Sequence, residues 1–150
     1  SLVVYRPEER ILFAGDNVWN REHPAMHDAD TLAWIRSLRR MQSMDVDVLV
    51  PGEGAPCSKD VLAPLIDYIS EMRRRTAECF ASRASRRDCV EKVGMLDYFP
   101  VSETDVVRIK ERRRHSVERV YTEIRLAQRD ESQPSGYPAG RGHARESGRG

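Results

Sequence analysis

Apolar residues open the chain in two short runs, residues 2–5 and 10–14, with the polar Arg6-Pro7-Glu8-Glu9 between them. Pro7 sits where a type I turn wants a fixed φ, so the pattern predicts a β-hairpin. The second run, Ile11-Leu12-Phe13-Ala14, is apolar at every position, as expected of a strand covered on both faces. Gly15 then lets the backbone turn and Asp16 ends the run. Residues 17–29 have no periodicity and read as a loop. Asp28 or Asp30 can cap the next helix, whose stripe Trp34, Leu38 and Met41 is widened by Leu32 and Ile35. Residues 46–50 make a short strand that Pro51-Gly52 ends.

A further helix carries Leu62, Leu65, Ile66, Ile69 and Met72 on one face. Its start is open: Ser58 is a good cap, but Pro64 would then fall inside and delete a backbone bond, so the helix kinks or begins nearer Pro64. Past Arg73 the pattern stays helical and turns basic. Ser85-Arg86-Arg87-Asp88 predicts a capping box on a short helix that Gly94 closes. Leu96-Asp97-Tyr98-Phe99-Pro100 reads as an aromatic anchoring turn. Ser102 with Asp105 repeats the cap signature before a long final helix marked by Val106, Val117, Val120, Tyr121 and Ile124. After Gln128 the composition turns to Gly, Ser, Pro, Arg and Glu, which bury too little apolar surface to offset the entropy of ordering, so 128–150 is expected to be a disordered tail.

Composition changes this picture little. At 150 residues, 39% hydrophobic and 33% charged, the chain suits a soluble domain with a true core. No apolar run approaches the roughly 20 residues of a membrane span. The net charge of +1 neither attracts nor repels polyanions strongly. The runs Arg73-Arg74-Arg75, Arg86-Arg87 and Arg112-Arg113-Arg114 are interleaved with Glu71, Glu78, Glu111 and Glu118, which suits solvated helices with local ion pairs and argues against nucleic acid as a partner. Cys57, Cys79 and Cys89 form no C-x-x-C pair and fit reduced thiols, the cue for a cytoplasmic setting. The chain opens at Ser1 directly into a strand and is expected to be the C-terminal piece of something longer.

The candidate chemistry lies in two acids. Asp16 follows Phe13-Ala14-Gly15 at a strand end, and Glu53 stands in Pro51-Gly52-Glu53-Gly54 at the end of another. A carboxylate has two oxygens and can bridge two divalent cations, which together acidify a shared water to hydroxide near neutral pH. His23 and His27 are four apart in the loop, a spacing that aligns imidazoles only on a helix, and Pro24 argues against one there. They are expected on a surface or substrate-facing loop. His115 and His143 are expected at the surface.

The order hairpin, Gly-Asp, amphipathic helix, strand, Pro-Gly-x-Gly and helix resembles the second half of the metallo-β-lactamase fold. The resemblance covers about residues 1–72. It implies an α/β class of α+β sandwich type: the second half of an αββα domain over 1–72, a helical extension over 73–127, then the tail. In that family an upstream H-x-H-x-D-H loop and a further His supply ligands, an Asp bridges the metals, and a Pro-Gly-His-Gly turn supplies the last ligand. Asp16 matches the bridging Asp, and Glu53 stands in place of the final His. The resemblance implies a divalent metal, zinc first, with iron or manganese favoured by the harder oxygen of Glu53. It also implies hydrolysis of a small ester, thioester, lactam or lactone by metal-bound hydroxide in the complete protein. The fragment itself is expected to be inactive, and a homo-oligomer is allowed. The alternative is a non-catalytic binding or scaffold protein of the same fold, its metal site eroded at Glu53.

Overall fold

The computed structural model of the chain describes residues 2–132. Three strands, β1 (Val4–Arg6), β2 (Ile11–Trp19) and β3 (Val48–Glu53), form one sheet in that order. β1 runs antiparallel to β2 through the expected hairpin, with Val4 opposite Phe13. β3 runs parallel to β2, and the connection between them is the helix α1 (Thr31–Gln42). The helices α2 (Leu62–Ala81), α3 (Arg86–Lys92) and α4 (Val106–Ser132) follow. The fold is a mixed α/β one, as an α+β piece of the expected architecture requires.

Each helix start has a local cause. Asp30 caps α1, its Oδ1 accepting from Ala33 N at 2.8 Å, a contact worth about 1 kcal/mol. Ser58 and Pro64 prove compatible. Ser58 caps a single 3₁₀ turn, Lys59–Val61, and α2 starts after it at Leu62. Pro64 is then the third helical residue, where the N–H that proline lacks has no intrahelical partner anyway. Ser85 and Asp88 form the reciprocal capping box on α3. Ser102 Oγ accepts from Asp105 N at 3.2 Å ahead of α4.

The core lies between the helical layer and one sheet face. Leu12, Ala14 and Leu49 of the sheet meet Ile35, Leu38 and Met41 of α1 and Leu62, Leu65, Ile69 and Met72 of α2, all buried. Leu32 is exposed and stands outside the stripe. Val117 and Val120 of α4 and Cys89, Val93, Met95 and Phe99 close the far side of α2. The helix α2 runs unbroken through position 72, where the expected boundary between domain and extension falls.

Four features differ from the sequence reading. β2 continues past Ala14 to Trp19, so Gly15 and Asp16 lie within a strand whose register slips on either side of Gly15. The positive φ of Gly15, 51°, shifts the pairing without ending it. β3 likewise runs through Pro51-Gly52 to Glu53, since β3 is an edge strand and tolerates a residue without an N–H. Among the described residues, helices cover only one sheet face. Phe13 is 43% exposed on the other, beside Val4 and Val48. Lastly, residues 128–132 of the expected tail belong to α4, and the rest of it lies outside the described residues.

Candidate functional site

Asp16 stands on β2 directly against Gly52 of β3. A Cβ at position 52 would collide with Asp16 Oδ1 and lie 2.6 Å from Asp16 N, closer than real Cβ atoms approach. The missing side chain is therefore a seat for the Asp16 carboxylate. Two indoles hold the backbone around it. Trp19 Nε1 donates to the carbonyl of Asp16 at 3.0 Å, and Trp34 Nε1 on α1 donates to that of Asn17 at 2.8 Å. The adjoining turn is tied down as well: Asn20 N donates to Glu53 O at 3.0 Å and Asn20 Nδ2 to Ala55 O at 2.9 Å.

Glu53 lies opposite Trp19 in the register, so both acids occupy the same end of two neighbouring strands. They do not share one hollow. A cavity of about 470 Å³ is lined by Asp16, Trp19, His27, Asp30 and Trp34 among others, and Glu53 is not in its wall. Glu53 is exposed; burial and the nearby Arg108 charge lower the pKa of Arg112 on α4, while the charges of Glu22 and Glu53 act against that shift. Among the described residues no three His, Cys, Asp or Glu side chains gather as a metal-holding group.

The two histidines part company. His27 is exposed, lines the cavity beside Asp16, and lies 3.2 Å from Asp28. His23 is 2% exposed, at variance with a surface or substrate-facing position. Its Nδ1 lies 3.3 Å from the Tyr68 hydroxyl and its Nε2 3.1 Å from the Phe99 carbonyl. The ring makes edge contacts with both aromatics. Burial, before any other cause, pushes its pKa below the ordinary 6.5. A neutral imidazole with its proton on Nε2 satisfies both contacts, donating to Phe99 and accepting from Tyr68. The loop turns inward here because Phe99, from the anchoring turn, supplies an apolar wall with one free carbonyl.

The helix α4 reads the backbone of this loop along one face. Arg112 Nη1 donates to His23 O at 2.9 Å, Ser116 Oγ accepts from Met26 N at 3.3 Å, Arg119 Nε donates to Ala29 O at 2.6 Å, and Glu123 Oε1 accepts from Thr31 N at 3.0 Å. The spacings of four, three and four residues place all four on one helical stripe. The outward arginines pair locally, Arg74 with Glu71 and Glu78, and Arg114 with Glu111 and Glu118. Arg73, Arg112 and Arg113 turn inward instead, Arg113 Nη1 donating to the carbonyls of Val90 and Val93, each at 2.6 Å.

Residues 1–53, the hairpin, the Asp16 strand and the Pro-Gly-Glu turn, match the family described as the metallo-beta-lactamase superfamily. Among curated proteins the chain is similar to the linear primary-alkylsulfatase of Pseudomonas sp. (strain ATCC 19151), at 25% identity over 136 residues. That similarity covers 81% of this chain and a quarter, 25%, of the relative's length. The metallo-beta-lactamase match ends on Glu53, so the rim bearing both acids falls inside it, and the sulfatase similarity extends over the helices beyond.

The residues missed in the sequence are Trp19, Gly52 as a seat, and the stripe 112, 116, 119 and 123. The stripe was legible as a helical spacing of polar residues, but that spacing has the same appearance when it faces water.

Proposed function

We propose that the chain contributes part of the centre of a metal-dependent hydrolase, with Asp16 as a metal ligand and Glu53 at the last ligand position. The observation that carries the reading is the seat at Gly52, which fixes a carboxylate on a rigid strand where even a methyl group cannot stand. The superfamily match over residues 1–53 supports a hydrolase and a divalent metal. The donors here are carboxylate oxygens, which fit zinc, manganese or iron as part of a ligand set. A divalent ion bound there supplies an acidified water as nucleophile. The chain's own part is to hold Asp16 still, to line the adjoining cavity with His27 and the two indoles, and to keep that pocket against the helical layer. In this reading residues 1–72 carry the rim and 73–127 brace it from behind.

The substrate class is a small ester, thioester, lactam or lactone, and the alkylsulfatase relative brings sulfate esters into the ester class. The test is a hydrolysis panel across these classes on the complete polypeptide, after reconstitution with zinc, manganese or iron. Activity with one class, lost at least a hundredfold in Asp16→Asn, is expected. Unchanged activity in that variant overturns the ligand role.

The position of Glu53 outside the Asp16 cavity favours one rival reading, a binding protein of the same fold with an eroded site. Glu53→His separates the two. A gain in metal content and turnover supports erosion, and a loss supports Glu53 as an adapted ligand.

A further inference from the structure

We propose that Arg112, on the helix α4, is a positioning residue that holds Asp16 in place through Trp19. The inference rests on the reading of Asp16 as a ligand, but its geometry does not.

Three contacts make the connection. The Arg112 guanidinium carbon lies 4.7 Å from the centroid of the Trp19 ring, over its face. Its Nη1 donates to the His23 carbonyl at 2.9 Å. The Trp19 indole N–H in turn donates to the carbonyl of Asp16 at 3.0 Å. The Trp19 side chain is thus held from above by a cation and spends its single donor on the residue whose carboxylate sits against Gly52.

The charge of Arg112 is not explained by an ion pair. Among the described residues no carboxylate lies within 4.0 Å of it, whereas Arg73, Arg74, Arg75, Arg108, Arg114 and Arg119 each have one. A half-buried guanidinium needs compensation, and here the ring face and one peptide carbonyl supply it. Both belong to the segment that follows Asp16. A lysine would keep the charge but not the planar stacking or the fork of donors.

The functional consequence follows from the tolerance of a ligand site, about half an ångström. Without Arg112 the face of the indole loses its cover, and the N–H that restrains the Asp16 peptide is free to leave. His23, seated on Tyr68 and Phe99, keeps the loop anchored in either case. The defect is therefore expected at Asp16 rather than throughout the chain.

The two tryptophans make this measurable. In ¹⁵N-labelled protein each indole gives its own N–H signal, assigned with a Trp34→Phe variant. In Arg112→Gln the Trp19 indole signal should move and exchange with water at least tenfold faster, while the Trp34 signal holds. Arg112→Lys should fall between Arg112→Gln and wild type. Manganese(II) added alone should broaden the Asp16 amide in the wild type, and at least tenfold more of it should be needed in Arg112→Gln. An unmoved Trp19 indole in Arg112→Gln overturns the proposal, as does equal movement of both indoles in the Lys and Gln variants. If manganese broadens nothing near Asp16 in the wild type while the indole signals behave as expected, the ligand reading fails and the positioning role stands.

Discussion

A methyl group at position 52 has nowhere to go. In Gly52→Ala the new Cβ meets Asp16 Oδ1 and the backbone of Gly15 and Asp16, so either β3 shifts or the carboxylate leaves its seat. The expected result is a loss of about 1–3 kcal/mol in urea unfolding, together with loss of manganese broadening at Asp16. Gly15→Ala is the control. Its φ is also positive, but nothing lies within 4 Å of an added Cβ, so only the backbone strain of about 1–2 kcal/mol is expected. His23 sets a pH dependence of a definite sign. Its folded pKa is depressed below the ordinary 6.5, so between 6.5 and the lower folded value the unfolded chain binds more protons than the folded one. Stability is therefore expected to hold above pH 6.5 and to fall as the pH drops into that window. Urea midpoints at pH 7.5 and 5.0 check it, and the difference should shrink in His23→Gln.

Between elements, the most consequential contact joins α1, α2 and α4. Arg73 Nη1 lies 2.6 Å from Glu123 Oε2, with the two side chains only 18% and 15% exposed. Glu123 also accepts from Thr31 N at the first residue of α1. Removing one partner of such a pair leaves an uncompensated charge at low exposure, so Glu123→Ala should cost about 3 kcal/mol, read in urea unfolding. Glu123→Leu with Arg73→Met should recover part of the loss, because the guanidinium is no longer left without its carboxylate, while the Thr31 donors and Arg119 still lose the Glu123 acceptor. This junction also shows why the arginine runs were only half legible in the sequence. Arg74 and Arg114 find glutamates three and four residues away on their own helices, an arrangement that spacing alone predicts. Arg73 and Arg112 find partners 50 and 89 positions away, and no local pattern encodes those.

At the scale of the whole molecule, the sheet is apolar on two faces and, among the described residues, covered on one. The register places Val4 and Phe13 side by side, with Ile11, Val48 and Val50 on the same side and all the helices on the other. The all-apolar run 11–14 had implied two covered faces, and the side chains agree with that chemistry even though no described residue lies over Phe13. A bare face of this kind drives association. The chain is expected to self-associate at micromolar concentration in sedimentation equilibrium, and Val4→Thr with Phe13→Thr should shift it to monomer without lowering its unfolding midpoint by more than a few degrees. No helix of the described residues is long and apolar enough to cross a membrane.

The sequence by itself determined the order of the main elements, the capping box of α3, most of the apolar stripes and the identity of the two acids, because each of these is a local signal repeated over a few residues. Only the tertiary structure decided that Gly52 is empty to make room for Asp16, that Glu53 stands outside the wall of the Asp16 cavity, and that His23 is buried among aromatics. Those outcomes depend on which distant groups meet. A glycine, an acid or a histidine looks the same in a sequence whether it faces water, a neighbouring strand or a helix some ninety residues on.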